Sequence, residues 1–182
     1  MNLIDKAARI SAIAHRNQVR KQEDVPYIMH PVAVALSLAQ HNFSDEVVAA
    51  ALVHDVLEDT DFPESELRAQ LGDEVMRIVH AVSNDDSLSW EEKKAKYVEI
   101  VRKGGESVWA VAIADKIHNA KDLIASAEKQ GSAIWNNFNR GKEKKVWFEE
   151  LVLAMFREEG WQHSLVEEYA TLIERIKAIP ED

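Results

Sequence analysis

Residues 51–60 have the sequence Ala51-Leu52-Val53-His54-Asp55-Val56-Leu57-Glu58-Asp59-Thr60, and the rest of the chain is predicted to be organised around them. An apolar, helix-forming run leads into an adjacent histidine and aspartate, and two more carboxylates follow one helical turn later. Residues three or four apart share a face of an α-helix, so the imidazole and the carboxylates are gathered in one small sector. Burying ionisable groups beside an apolar stripe is costly unless something compensates, and a bound cation is a common solution.

The composition suits one globular domain with a sizeable core. The 182 residues are 46% hydrophobic and 30% charged, and the lack of cysteine excludes disulfides, thiolate metal sites and cysteine nucleophiles. The net charge of −10, without a long basic stripe, argues against binding a nucleic acid polymer. Residues 25–43 carry no Asp, Glu, Lys or Arg, but prolines and polar residues make them unsuited to a membrane span. No signal-peptide pattern is present at the N-terminus, so we expect a soluble, cytoplasmic protein.

Helical periodicity, without any alternating strand segment, predicts an all-α fold with no internal domain boundary. Local signals mark the helix ends: Ser44 as an N-cap, a capping box from Ser89 to Glu92, and Gly104-Gly105 as a stop. Pro31 suits the first position of a helix. The predicted helices span residues 2–18, 30–40, 44–57, 63–72, 73–82, 89–103, 107–130, 141–158 and 164–178, with a loop over residues 19–29.

Two histidines and two aspartates form a candidate cation site, because each is predicted to project from a core-packed helix. They are His30, His54, Asp55 and Asp115. This mixed nitrogen and oxygen ligand set suits Mn, Fe, Co or Zn rather than Ca. Such a cation would polarise a phosphorus–oxygen bond and make hydroxide available near neutral pH. Two structural alternatives remain open: His30 as a helix cap, and Asp115 in an ion pair with Lys116 or Arg20.

Charged residues around these four predict further roles. Glu58 and Asp59, one turn beyond the His-Asp pair, are placed to orient a water molecule or to pass a proton. The alternative, an acidic helix end, is disfavoured because carboxylates destabilise helix C-termini. Arg20 and Lys21, in the loop before His30, could supply the positive charge that an anionic substrate needs. A solvated pair of loop residues explains these two cations equally well.

Three motifs, in this order and spacing, resemble the HD-domain metal phosphohydrolases. Within that family they are similar to the hydrolase domain of RelA/SpoT-type enzymes and to stand-alone small alarmone hydrolases. The motifs are Arg20-Lys21 with Pro26-Tyr27-Ile28-Met29-His30-Pro31, then His54-Asp55-Val56-Leu57-Glu58-Asp59-Thr60, then Ala114-Asp115-Lys116-Ile117-His118-Asn119. The resemblance covers residues 5–125, with a looser match beyond. It implies an HD-domain helical bundle: a single hydrolase domain over residues 1–182, with C-terminal helices over 138–178.

The resemblance also implies a site and a reaction. His30, His54, Asp55 and Asp115 would bind one divalent metal, usually Mn²⁺, and Glu58 and Asp59 would serve the catalytic water. Arg20 would lie against a guanine base, Lys21 near the phosphates and Asn119 beside the nucleoside. The reaction implied is removal of the 3′-pyrophosphate from guanosine tetra- or pentaphosphate, giving GDP or GTP. The implied partner is therefore a small nucleotide.

Two other functions are compatible with the same residues. An HD-type phosphatase could act on another nucleotide or on NADPH, and would release orthophosphate. A non-catalytic nucleotide-sensing module is disfavoured, because none of the predicted metal ligands or acid–base carboxylates is missing. The sequence gives no indication of the oligomeric state.

Overall fold

The computed structural model describes residues 1–20, 25–83 and 89–181, and this part of the chain is all-α, as predicted. Within it, Val19 and Pro26 form an isolated antiparallel β-bridge. The α-helices are α1 (Leu3–Ala14), α2 (Met29–Gln40), α3 (Asp45–Val53), α4 (Val56–Asp59), α5 (Glu64–Leu71), α6 (Asp73–Val82), α7 (Trp90–Gly104), α8 (Glu106–Gln130), α9 (Gly141–Glu158) and α10 (Ser164–Lys177). A 3₁₀-helix over Gly131–Asn137 follows α8.

The first of two compact units, Met1–Asp115, is built around α3. This helix packs against α1, α2 and α6, and every residue from Val47 to Val53 is buried. A helix that is apolar on all sides belongs in the interior, which explains the apolar run before His54. The end of α3 therefore delivers the His54 ring to a buried position, where the side chain is only 5% exposed.

The prediction that one helix continues from Ser44 to near Leu57 was wrong. Helix α3 ends at Val53, and the short helix α4 begins only at Val56. At Asp55 the backbone angles are φ −95° and ψ −4°, away from the α-helical values near −63° and −42°. Successive side chains on an unbroken helix point about 100° apart, so the change of direction lets His54 and Asp55 turn toward the same place.

The described residues between α1 and α2, 15–20 and 25–28, make main-chain contacts that the predicted loop did not include. Helix α1 ends at Ala14 rather than near residue 18, and the Tyr27 amide donates to the Gln18 carbonyl at 2.9 Å. With the Val19–Pro26 bridge, this bond folds the chain back on itself. Helix α2 then begins at Met29, so Pro31 occupies its third position rather than its first. The amide that proline lacks would have had no partner within the helix at that position.

Several helix ends that have a local sequence signal lie where they were predicted. Helices α6 and α9 have the predicted bounds, and the Ser89 capping box is present at the start of α7. Gly105, which follows α7, has φ +74°, a conformation that glycine adopts without steric cost. Ser44 occupies the N-cap position of α3, but its side chain makes no capping hydrogen bond.

The second unit, Lys116–Asp182, contains the rest of α8, the 3₁₀-helix and the hairpin of α9 and α10. Glu149 is buried between α9 and α10, where it contacts the Lys145 ammonium and the Tyr169 hydroxyl. Burial raises the pKa of Glu149, but the charges of Lys145 and Lys116 outweigh it, so the pKa lies below its usual value. The carboxylate is thus charged and paired inside this unit.

The described helices include none that is both long enough and apolar enough to cross a lipid bilayer.

The two serine N-caps give a test of local stability. We expect Ser89→Ala to lower the free energy of unfolding by about 1 kcal/mol, because it removes the capping bond to Glu92. Ser44→Ala is the matched control: no capping bond exists there, so the loss should be only a few tenths of a kcal/mol. Urea denaturation of both variants measures the difference. Equal losses would contradict the assignment of the capping box.

Candidate metal centre

Four side chains from three parts of the chain converge in the first unit. His30 lies in the first turn of α2, His54 follows α3, Asp55 precedes α4, and Asp115 lies on α8. One ligand atom each from His30, His54 and Asp115 lies within 4.8 Å of the others. The Asp55 carboxylate reaches 3.1 Å from His54 Nε2 and 3.5 Å from His30 Nε2. The structure thus brings together the four residues that were predicted to bind the cation.

The His54 ring is oriented as a metal ligand would be. Its Nδ1 lies 2.8 Å from the Ala51 carbonyl, which can only accept, so Nδ1 carries the proton and donates. The lone pair of the neutral ring is then on Nε2. This nitrogen is buried and has no hydrogen-bond partner among the described residues, although carboxylate oxygens lie close to it. Metal-bound histidines commonly donate their other nitrogen to a backbone carbonyl, as His54 does.

The separations between nitrogen and oxygen atoms fit ligands around one cation. His30 Nε2 and His54 Nε2 lie 3.1 and 3.7 Å from Asp115 Oδ1. With metal–ligand bonds of about 2.1 Å, neighbouring ligand atoms at right angles are about 3.0 Å apart. The donor set of two imidazoles and two carboxylates also matches divalent first-row metals. These four residues could therefore hold one divalent metal ion.

The electrostatics show how strongly this cluster attracts positive charge. Burial lowers the pKa of His54, but the Asp55 and Asp115 carboxylates outweigh it, so the pKa is raised well above its usual range. Burial likewise raises the pKa of Asp55, yet the adjacent His54 charge lowers it to about 2. A divalent cation bound between these side chains would supply the positive charge that both pKa directions favour.

Tyr27 is a member of the site that sequence reasoning did not assign to it. Its hydroxyl donates to Asp55 Oδ2 at 2.6 Å and also lies 3.1 Å from Asp59 Oδ2. Burial, together with the charges of these two carboxylates, raises the pKa of Tyr27 far above its usual range, so the hydroxyl keeps its proton. The sequence signal was its place in the first motif, three residues before His30.

The predicted cation Arg20 lies at the same end of the first unit. Its guanidinium carbon is 5.8 Å from the centre of the Tyr27 ring, a cation–π distance. The Arg20 amide donates to the Val25 carbonyl at 2.9 Å, which fixes this end of the folded loop. Arg20 is thus joined through Tyr27 to the carboxylate of Asp55. Lys21, the other predicted cation, lies outside the described residues.

The two predicted acid–base carboxylates are both exposed on α4. The Asp59 carboxylate contacts the Tyr27 hydroxyl, and the Asp59 carbonyl accepts from Gln18 Nε2 at 2.7 Å. Glu58 lies on the same turn, three residues after Asp55. Asn119, predicted to contact the nucleoside, lies on α8 in the second unit and is half-buried. Its role, like those of Glu58 and Asp59, stays a prediction.

The sequence matches a known family over this whole region. A profile of the HD domain matches residues 7–142, well over half of the chain. The chain belongs to the HD-domain family. HD-domain hydrolases use a divalent metal, and the cluster of buried His30 and His54 with half-buried Asp115 lies within the matched residues.

Individual HD-domain relatives share both sequence and fold with the chain. A guanosine-3′,5′-bis(diphosphate) 3′-pyrophosphohydrolase of Danio rerio is 40% identical over 153 residues, which cover 82% of each protein. A crystal structure from Listeria monocytogenes is 35% identical, with a TM-score of 0.74 over 81% of this chain and 97% of that one. A metazoan ortholog of SpoT, described as hydrolysing ppGpp, is 25% identical, with a TM-score of 0.81 over 96% of both chains.

Metal binding by this HD domain should compete with protons. The pKa of His54 is raised and only its neutral form binds a cation, so Mn²⁺ must displace a proton. Below the pKa of His54, we expect the apparent dissociation constant for Mn²⁺ to rise about tenfold for each unit that the pH falls. Titration calorimetry at several pH values measures this. An affinity that does not change across the pH range would show that His54 is not a ligand.

Proposed function

We propose that the chain is a metal-dependent hydrolase that removes the 3′-pyrophosphate from guanosine tetra- or pentaphosphate. The products are GDP or GTP and pyrophosphate. The observation that carries the proposal is the cluster of two buried histidines and two half-buried aspartates, with its unsatisfied His54 Nε2, in an HD domain: His30, His54, Asp55 and Asp115. The 40% identity to a 3′-pyrophosphohydrolase over most of both chains supports this substrate. Guanine nucleotides are cytoplasmic metabolites, and we propose that the enzyme acts in the cytoplasm.

The proposed metal ligands are His30, His54, Asp55 and Asp115, and the proposed metal is Mn²⁺. When bound, such a cation polarises the phosphorus–oxygen bond and lowers the pKa of a water molecule. The protein residues orient the ligands: the Ala51 carbonyl fixes the His54 ring, and the Tyr27 hydroxyl fixes the Asp55 carboxylate. The mixed ligand set favours Mn²⁺ over Ca²⁺, which binds through oxygen atoms alone.

In the proposed mechanism, Glu58 and Asp59 handle the protons. One carboxylate orients the attacking water and accepts its proton, and the leaving pyrophosphate is protonated from the same acidic turn. The position of both residues on α4, directly after Asp55, supports this role. The Tyr27 hydroxyl does not serve as a base, because its pKa is raised far above the usual range.

Positive charge is needed for an anionic nucleotide to approach this part of the chain. Residues 54–74 contain eight Asp or Glu against a single Arg, so phosphates would be repelled in the absence of cations. The metal supplies one source of positive charge, and Arg20 supplies another at the Tyr27 ring. A guanidinium is planar and can also stack on a purine base. We propose that Arg20 contacts the guanine, Lys21 the phosphates and Asn119 the nucleoside.

A substrate panel tests the reaction. The full chain, loaded with Mn²⁺, is incubated with guanosine tetraphosphate, GTP, ATP and NADPH, and pyrophosphate and orthophosphate are measured separately. We expect pyrophosphate and GDP from guanosine tetraphosphate, with little release from the other compounds. Orthophosphate from NADPH or GTP alone would instead indicate a phosphatase. Tight nucleotide binding without turnover would indicate a sensing module, and either outcome would overturn the proposal.

Paired carboxylate substitutions separate metal binding from proton transfer. We expect Asp55→Ala to abolish both Mn²⁺ binding and turnover, because it removes a proposed ligand from the cluster. Glu58→Ala should leave Mn²⁺ bound but lower kcat by about 10²-fold, the usual effect of losing a general acid or base. Glu66→Ala, an exposed carboxylate on α5, is the control and should change neither quantity. Full activity of the Glu58 variant would show that the proton is handled by another residue.

A further inference from the structure

Helix α4 carries the proposed acid–base residues but is too short to position them alone. It has four residues, Val56–Asp59, and helices of that length have little intrinsic stability. Its last carbonyl groups also lack partners within the helix. The adjacent Thr60 hydroxyl donates to the Val56 carbonyl at 2.7 Å, and Gln18 and Tyr27 make further contacts with α4 from a distant part of the chain.

The first contact is from Gln18 to the main chain of α4. Gln18 Nε2 donates to the Asp59 carbonyl at 2.7 Å, which satisfies a carbonyl at the C-terminal end of the helix. Gln18 Oε1 in turn accepts from His15 Nδ1 at 2.7 Å, and the His15 ring is only 1% exposed. The anchored histidine fixes the orientation of the Gln18 amide. Gln18 thus ties the end of α4 to the buried end of α1.

The second contact is from Tyr27 to two carboxylates at once. One phenolic proton can be donated fully to only one acceptor, and the shorter distance, 2.6 Å against 3.1 Å, assigns it chiefly to Asp55. The Asp59 carboxylate accepts the weaker branch of the same three-centre hydrogen bond. The Tyr27 ring is held by His15, with ring centres 4.8 Å apart, and by Arg20. The hydroxyl is therefore a fixed point between a proposed metal ligand and a proposed acid–base residue.

We propose that Tyr27 and Gln18 are positioning residues that hold Asp59 at the metal centre. Tyr27 fixes the carboxylate of Asp59 and orients Asp55 for the metal, whereas Gln18 fixes only the main chain of Asp59. This inference rests on the proposed function for the role of Asp59. It makes the two residues separable, because only Tyr27 touches a proposed metal ligand.

The test compares Tyr27→Phe and Gln18→Met, which remove the hydrogen bonds and keep most of the side-chain volume. Mn²⁺ affinity is measured by calorimetry without nucleotide, and kcat and KM are measured with guanosine tetraphosphate. We expect Tyr27→Phe to weaken Mn²⁺ binding about tenfold or more and to lower kcat. We expect Gln18→Met to lower kcat about tenfold or more with unchanged Mn²⁺ affinity. The nucleotide KM should stay near the wild-type value in both variants. In Tyr27→Phe, the aromatic ring that Arg20 contacts is still present.

Tyr169→Phe is the matched control, because its buried hydroxyl also contacts a carboxylate, Glu149, that is not a proposed metal ligand. We expect it to leave Mn²⁺ affinity unchanged, whatever its effect on thermal stability. Equal loss of Mn²⁺ affinity in Tyr169→Phe and Tyr27→Phe would overturn the inference, as would wild-type kcat in Gln18→Met. A wild-type protein that binds Mn²⁺ but does not cleave guanosine tetraphosphate would overturn the proposed function alone. In that case, wild-type Mn²⁺ affinity in Tyr27→Phe would overturn the inference separately.

Discussion

The structure depends on one electrostatic constraint: two buried imidazoles face two carboxylates in the first unit. His54 Nε2 is buried, has no hydrogen bond among the described residues, and lies 3.1 Å from the Asp55 carboxylate. Removing such groups from water is expensive unless a proton or a cation balances their charge. The raised pKa of His54 and the lowered pKa of Asp55 both reflect this need for positive charge beside the carboxylates. One divalent ion would balance the charge of both carboxylates, and the helices that carry the four residues place their side chains around that position.

The break between α3 and α4 is how the backbone meets this constraint. Many helix ends could be predicted because a local signal marks them, as the Ser89 capping box and Gly105 mark the ends of α7. Residues 54–56 contain no glycine or proline, so periodicity predicted a helix that continued to Leu57. The break lets His54 and Asp55 face the same centre in the folded protein. This is an effect of tertiary structure, which local helix propensity does not predict. The start of α2 and the end of α1 were displaced by a similar cause, the pairing of residues 18–20 with residues 25–27.

The residues of the candidate site likewise differ in whether local sequence or a distant contact identifies them. His30, His54, Asp55 and Asp115 could be named from the sequence, because the motifs fix their type, order and spacing. Tyr27 and Gln18 could not, since their partners Asp55 and Asp59 lie 28 and 41 residues further along the chain. Helical spacing reports only on neighbours within one helix. Helical spacing therefore could not predict that Tyr27, three residues before His30, contacts Asp55 and Asp59.

These contacts change how the acidic turn should be understood. The sequence suggested two separate tasks: residues 54–55 for the metal and residues 58–59 for proton transfer. In the structure the Tyr27 hydroxyl contacts both Asp55 and Asp59. A movement of one carboxylate would therefore displace the hydroxyl that the other carboxylate also contacts. Asp59 is also tied through its main chain, and a carboxylate held in this way suits the orientation of a reacting water better than exchange of protons with solvent. Glu58, exposed on the same turn, is better suited to exchange with bulk water, which makes the two neighbouring carboxylates unequal in the proposed mechanism.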